Sequence, residues 1–158
     1  MGSFARATRC TLNSTSPPTV PVLRLDSTVF IGGERRNLTV LQTLDHVRSL
    51  LGDTEVVISS MSAAELVHGI WRAKAPDVRA DREQFIEEIF ARVPVRPVSL
   101  KTARIAGEID AKARAKGVTI PTADLFIGAT ALELSFGVAT ANLRHFRLIP
   151  KLRVRRIE

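Results

Sequence analysis

The segment "VLRLDSTVFIGG" (residues 22–33) places a carboxylate directly after a short apolar stretch. The apolar positions before Asp26 predict a short buried strand. Two hydroxyl side chains, Ser27 and Thr28, follow the acid, and a second apolar run comes after them. Because a charged group is costly to bury unless it is paired or binds a cation, this order predicts a strand that ends at a polar site.

Strand-like and helix-like segments alternate along the rest of the chain. The spacing of apolar residues predicts further strands over residues 55–59, 138–141 and 152–157, and helices over residues 39–51, 62–74, 81–93, 101–117 and 122–137, with Ser62 as an N-cap and glycines at 117 and 137 as ends. An extended, proline-bearing segment covers residues 93–100. This alternation predicts a single α/β domain, a parallel sheet with helices on both faces.

Length and composition agree with one domain. The chain has 158 residues, 45% of them apolar, which suffices for a sizeable core. No run approaches the roughly 18 apolar residues of a membrane span, so we expect no membrane segment. Cys10 is the only cysteine, which excludes an internal disulfide or a zinc cluster built on cysteines. A reducing compartment, the cytoplasm, is the expected location.

The first 20 residues differ from the remainder. They contain two arginines, adjacent prolines, many hydroxyl residues and no acid. A disordered extension is the simplest interpretation, and a transit peptide would share this composition. We therefore assign residues 21–158 to the folded domain.

The net charge of +7 favours a polyanionic partner such as nucleic acid, although a basic protein without such a partner is the simpler alternative. With no Tyr and one Trp, contact through the phosphate backbone is favoured over base stacking. Basic residues that could guide a nucleic acid are Arg72 and Lys74, and also Lys112, Arg114 and Lys116, for which an ordinary solvated helix face explains the charge equally well.

Four polar residues are predicted to lie at one edge of the sheet. Asp26 ends the first strand, Glu65 and Asp124 lie in the first turns of predicted helices, and Asn142 follows the strand at 138–141. In a parallel sheet these positions meet at the carboxyl edge, where open α/β sheets bind ligands.

Each acid also has a local explanation. Ser62 and Glu65 have the spacing of a capping box, Asp124 would complement a helix dipole, and Asp26 could cap a helix begun by Ser27. Three caps need not fall on one edge, however. Clustered carboxylates raise one another's pKa unless a cation lies among them. Hard oxygen ligands without cysteine indicate Mg²⁺ or Mn²⁺.

Four segments carry a resemblance to a known family: "LDSTVFI", "SAAELVHG", "PTADLFIGATAL" and "ATANLRHF". They resemble the four motifs of PIN-domain ribonucleases, in particular the VapC toxins of bacterial VapBC toxin–antitoxin pairs. The resemblance spans roughly residues 21–154. Each motif alone is weak, but their order is specific, above all the acid before "LFIGATAL" and the Asn 18 residues after that acid.

The resemblance implies a three-layer α/β/α PIN-like domain and Mg²⁺-dependent hydrolysis of RNA by direct attack of water. It also implies a VapB-like antitoxin partner and a homodimer. Asp26, Glu65 and Asp124 are implied as metal ligands and catalytic acids, with Asn142 as the fourth catalytic position. Thr28 matches a hydroxyl position that would bind a metal water. His145 stands where some relatives carry another acid, and a plain surface role explains it equally well.

Three other classes of protein share part of this pattern. A phosphatase of the haloacid-dehalogenase type also begins with Asp after a strand, but it needs a second acid where this chain has Thr28. A flavodoxin-like or receiver domain places acids on the same edge with a spacing that fits less well. A PIN-like domain that only binds RNA or a protein is the non-enzymatic alternative.

Overall fold

The strands of the domain form a single parallel sheet. The computed structural model describes residues 22–157, so the predicted N-terminal extension lies outside the described residues. The strands are β1 (Val22–Leu25), β2 (Glu55–Ser59), β3 (Val95–Arg96), β4 (Gly137–Thr140) and β5 (Val154–Arg156). Their order across the sheet is β3-β2-β1-β4-β5, and every neighbouring pair is parallel. The predicted parallel α/β fold is confirmed.

Seven helices connect the strands within residues 22–157. They are α1 (Ser27–Arg35), α2 (Val40–Leu51), α3 (Ser60–Trp71), α4 (Pro76–Arg92), α5 (Leu100–Arg114), α6 (Thr122–Glu133) and α7 (Leu143–Phe146). One buried cluster packs α1–α4 on the sheet around Phe30, Ile58 and Ile89, and a second packs α5–α7 around Ile127 and Phe146. These two cores give the three-layer α/β/α arrangement. No helix in the described part of the chain has the length and apolarity to cross a membrane.

The helix ends differ from the sequence predictions in several places. Helix α4 begins at Pro76 rather than at 81, because proline suits the first helical position. Helices α5 and α6 end earlier than predicted, at Arg114 and Glu133. Helix α7 was not predicted, since a four-residue helix carries little periodicity. Helix α1 agrees with the alternative given for Asp26, a helix that begins at Ser27.

The predicted cap of α3 is wrong. The helix begins two residues earlier, and its N-cap is Ser59, whose Oγ accepts a hydrogen bond from the backbone N–H of Ser62 at 2.9 Å. Ser62 is therefore inside the helix, and Glu65 lies in the second turn instead of the first. The capping-box explanation of Glu65 is excluded, which leaves its carboxylate available for another role.

Candidate functional site

Asp26 lies at the carboxyl edge of the sheet, between β1 and α1. Its side chain is 2% exposed. Its Oδ2 accepts hydrogen bonds from the hydroxyls of Thr28 (2.7 Å) and Thr140 (2.8 Å), and its backbone N–H donates to Ala139 O. Asp26 occupies the N-cap position of α1, but its carboxylate makes no capping bond. The side chain is thus held by two hydroxyls that fix its direction.

Glu65 faces the same edge from α3. Its Oε2 accepts a hydrogen bond from Ser27 Oγ at 2.7 Å, which links α3 to the first residue of α1. Burial raises the pKa of Glu65, the bond from Ser27 opposes this shift, and the charges of Asp26 and Asp124 raise the pKa further. The three acids are therefore close enough to interact electrostatically.

Asp124 lies in the first turn of α6, as predicted. Nδ1 of His145, in α7, donates a hydrogen bond to its Oδ2 at 2.7 Å. Burial raises the pKa of Asp124, while the hydrogen bond and charge of His145 lower it and the charge of Asp26 raises it. The interpretation of His145 as a plain surface residue is wrong, because its ring contacts a site acid.

Asn142 occupies the N-cap position of α7, two residues beyond the end of β4. Its backbone N–H donates to Thr140 Oγ1 at 2.9 Å, but its exposed side chain makes no capping bond. Thr28 Oγ1 also accepts from the backbone N–H of Ala141 at 3.2 Å. The catalytic role of Asn142 and the water-binding role of Thr28 stay predictions. Thr28 contacts Asp26 directly, and the backbone of Asn142 is linked to Asp26 by the Thr140 hydroxyl.

The donor chemistry of the three acids fits a hard divalent cation. Asp26, Glu65 and Asp124 each accept side-chain hydrogen bonds at one oxygen, and no hydrogen bond within residues 22–157 reaches the other oxygen. Burial raises the pKa of Glu65 and of Asp124, and the negative charge of neighbouring acids raises both further. A cation would relieve this repulsion. Among the described residues, no group of three His, Cys, Asp or Glu side chains is arranged so that it could hold a metal ion by itself. Water and substrate oxygens would complete the shell, as Mg²⁺ commonly requires.

The sequence analysis missed two contributors to this site, Ser27 and Thr140, and left the role of His145 open. Ser27, Thr140 and His145 each hold one of the acids, at separations of 38, 114 and 21 residues along the chain. The adjacency of Ser27 and Thr28 to Asp26 was a usable signal for the first. No neighbouring residue in the sequence indicates that Thr140 contacts Asp26 or that His145 contacts Asp124.

Comparison with known proteins identifies the fold family. The family model of the PIN domain matches residues 24–152. The chain belongs to the PIN-domain family. The matched range begins within β1 and contains Asp26, Glu65, Asp124 and Asn142, so all predicted site positions of this PIN domain lie within the family match.

Individual relatives agree with the family match. Ribonuclease VapC of Rickettsia bellii is 26% identical over 132 residues, which cover 84% of this PIN domain chain and 93% of the relative. The tRNA(fMet)-specific endonuclease VapC of Salmonella typhimurium is 28% identical over 118 residues, covering 73% and 87%.

A solved structure supports the fold. The crystal structure of VapBC2 from Rickettsia felis bound to a DNA fragment from their promoter contains a chain that superposes with a TM-score of 0.75. The superposition covers 87% of this chain and 99% of that one, at 20% identity. At this identity the likeness shows that the PIN fold is shared.

Proposed function

We propose that this PIN domain is a VapC-type endoribonuclease that hydrolyses RNA phosphodiester bonds with Mg²⁺ or Mn²⁺. The observation that carries the proposal is the set of three electrostatically coupled carboxylates at one sheet edge, each held by a neighbouring side chain. The relatives named as VapC ribonucleases support RNA as the substrate class.

The mechanism follows from what the residues hold in place. Asp26, Glu65 and Asp124 would bind the cation, and Asn142 would assist from the end of β4. When bound, such a cation polarises phosphate oxygens and lowers the pKa of water. The hydroxyls of Thr28 and Thr140 keep the Asp26 carboxylate oriented, and Ser27 does the same for Glu65. Because these acids are already oriented, no free energy is needed to reorganise them when water attacks the phosphorus.

The proposal extends to partners. The structural relative is a VapBC pair bound to promoter DNA, which supports a VapB-like antitoxin as partner of this chain. An Arg or Lys of that partner would inhibit by pairing with the acidic edge in place of the cation. We also propose a homodimer acting in the cytoplasm. Growth arrest on expression of the chain alone, relieved by co-expression of the adjacent small gene, tests the toxin role; unaffected growth despite soluble protein counts against it.

The decisive test is cleavage of labelled RNA by the purified full chain. Wild type should cleave with Mg²⁺ or Mn²⁺ and stop in EDTA. Asp124→Asn should lower the rate by about 100-fold or more, because a metal-bound charge contributes several kcal/mol to the barrier. Asp53→Asn, an exposed acid elsewhere on the surface, is the matched control and should cleave normally.

Two results would contradict the proposal in different ways. Equal cleavage in EDTA would exclude the divalent cation. Absence of both cleavage and any thermal stabilisation by Mg²⁺ or Mn²⁺ would favour the binding module instead, since an ion that binds only the folded state must raise its stability.

A further inference from the structure

The excess positive charge of the described domain is confined to its C-terminal segment. Residues 22–133 contain 15 acidic and 15 basic side chains and are therefore neutral, whereas residues 134–157 contain six basic side chains and no acid. The other charged side chains of the chain, Arg6, Arg9 and Glu158, lie outside the described residues. The charge excess of the domain thus comes from α7, β5 and the segment between them.

Ion pairs neutralise basic side chains elsewhere in the domain but not in this segment. Lys112 and Arg114, two of the basic residues predicted to guide a nucleic acid, pair with Glu108 and Asp110. Five exposed side chains of the C-terminal segment form no ion pair within residues 22–157, and we call them the basic edge: Arg144, Arg147, Lys151, Arg153 and Arg155. Of these, Lys151 interacts electrostatically with Glu108, which is already paired with Lys112.

The basic edge begins beside the proposed reaction centre. Arg144 and Arg147 belong to α7 and to the residue that follows it, and the same helix carries His145, whose ring contacts Asp124. The first cations of the basic edge are therefore attached to the element that positions one of the three acids.

The remaining cations follow the outermost strand. Arg155 is in register with Ala139 of β4, which is in register with Leu25, the residue directly before Asp26. Since neighbouring strands lie about 4.8 Å apart, roughly 10 Å separates the backbone of Arg155 from that of Leu25. Arg153 and Arg155 line the same hollow beside β5, and the two-residue period of a strand spaces them by roughly 7 Å. The cations therefore extend from the acids along one side of the sheet.

Protection of the sheet explains only part of this pattern. β5 is an outermost strand, and charged side chains on such a strand oppose pairing with another chain. Arg144, Arg147 and Lys151 lie outside β5, however. Like charges gathered on one side of a domain repel one another and destabilise the compact state, and a polyanion bound there would offset this repulsion.

The basic edge offers no ring on which a base could stack. The only aromatic residue of the sequence between 143 and 157 is Phe146, which is buried. Stacking on aromatic side chains is therefore excluded on this surface, and phosphates are the groups of a nucleic acid that it can contact.

We propose that the basic edge binds the phosphate backbone of the substrate RNA on one side of the cleaved bond, without regard to base identity. The inference rests on the proposed nuclease function, because continuity of the basic edge with the three acids makes the substrate its polyanion. The competing occupant is an acidic surface of a protein partner.

The first test measures the salt dependence of RNA binding. The probe is a fluorescein-labelled RNA of about 16 nucleotides, the upper end of common site sizes, and the protein is full-length Asp124→Asn, which is expected not to cleave it. Adding Arg147→Gln and Arg155→Gln should weaken binding and lower the slope of log Kd against log salt by about 1.4, which is about 0.7 for each lost phosphate contact.

The matched control removes two charges at the other end of the sheet. Lys101 and Arg104 are exposed, lie in the helix that follows β3, and form no ion pair within residues 22–157. Lys101→Gln/Arg104→Gln lowers the net charge by the same amount and should leave the salt slope unchanged.

A length series of substrates adds a kinetic readout. Lengthening an RNA from about 4 to about 16 nucleotides around the same cleaved bond should lower the KM of the wild type, because the longer strand reaches the basic edge. In Arg147→Gln/Arg155→Gln this fall in KM should be much smaller, whereas Lys101→Gln/Arg104→Gln should retain it.

Failure of this inference is separable from failure of the nuclease proposal. If wild type cleaves RNA but Arg147→Gln/Arg155→Gln keeps the wild-type salt slope and length dependence, the basic edge does not bind the substrate. Equal losses in both double variants would also overturn the inference, since net charge alone would explain them. If the basic edge binds RNA but wild type cleaves none with Mg²⁺ or Mn²⁺, the binding surface is supported and the nuclease function is wrong.

Discussion

Nδ1 of His145 lies 2.7 Å from Oδ2 of Asp124, and this contact joins α7 to α6 at the acidic edge. One carboxylate oxygen is thereby engaged, which leaves Oδ1 as the oxygen available to a cation. The hydrogen bond also lowers the pKa of Asp124 against the effect of burial, which raises it. His145 is therefore a positioning residue of the proposed metal site.

Replacing His145 should weaken the binding of divalent ions. Residues that orient metal ligands typically contribute 10- to 100-fold to affinity, so we expect His145→Ala to reduce Mn²⁺ affinity by about 10-fold in calorimetry, with the fold retained. His68→Ala, at an exposed position of α3, is the control. Unchanged Mn²⁺ affinity in His145→Ala would show that the contact is only structural.

Glu65→Gln should stabilise the metal-free protein at neutral pH. Burial, the largest influence, raises the folded-state pKa of Glu65 above 4.5, so the folded state binds this proton more tightly than the unfolded state. The ionised carboxylate therefore lowers stability above the folded pKa, and the cost disappears as pH falls through it. Glutamine keeps an oxygen that can accept from Ser27.

The check is urea unfolding in EDTA at pH 7 and at a pH below 4.5. The variant should have the higher free energy of unfolding at pH 7 and nearly the wild-type value at the lower pH. A larger gain at the acidic pH would contradict the direction of the shift.

Asn142 should tune the affinity for the cation without being essential. An amide oxygen can bind Mg²⁺ or a metal-bound water but adds no charge. Asn142→Asp should lower the Mg²⁺ concentration that gives half-maximal cleavage, and Asn142→Ala should lose less activity than Asp124→Asn. One Mg²⁺ titration of cleavage for all four proteins makes the comparison. An unchanged midpoint in Asn142→Asp would place this side chain outside the metal shell.

Arg24→Met should raise the stability of the domain. Arg24 lies in β1 with 0% exposure, and none of its three guanidinium nitrogens has a hydrogen-bond partner within residues 22–157. Desolvation and the nearby charge of Arg96 together lower the pKa of Arg24 to about 10, while the charge of Glu133 opposes the shift. Replacing a poorly compensated buried charge by an apolar side chain commonly gains about 1–4 kcal/mol.

Thermal unfolding measures this gain, and a shift of roughly 2–4 °C for each kcal/mol is expected at this domain size. Arg104→Met, at an exposed position, is the control for the loss of one charge. A fall in melting temperature for Arg24→Met would indicate that the guanidinium has partners beyond the described residues.

The sheet and the acidic edge were predictable because they follow from periodicity and topology. Short apolar segments that alternate with amphipathic helical segments predict a parallel sheet. Parallel strands end at the same edge of the sheet, which brings Asp26 and the residues after β4 together. The cap of α3 was misassigned because Ser59 and Ser62 are both acceptable caps by residue type. The point at which the backbone leaves β2 and turns into α3 makes Ser59 the N-cap.

The side-chain pairs within the site were not predictable from one sequence. Thr140 and His145 reach Asp26 and Asp124 through contacts that depend on how α6, α7 and β4 pack.

The hydrogen bond between Thr140 and Asp26 spans 114 residues, and β1 pairs with β4 beside it. During synthesis, Asp26 emerges from the ribosome long before Thr140 and His145 have been translated. A nascent chain consequently carries its first acid without the hydroxyl that fixes it or the strand that flanks it. The proposed nuclease would thus stay inert on the polysome and acquire its activity only after the closing part of the domain has been made.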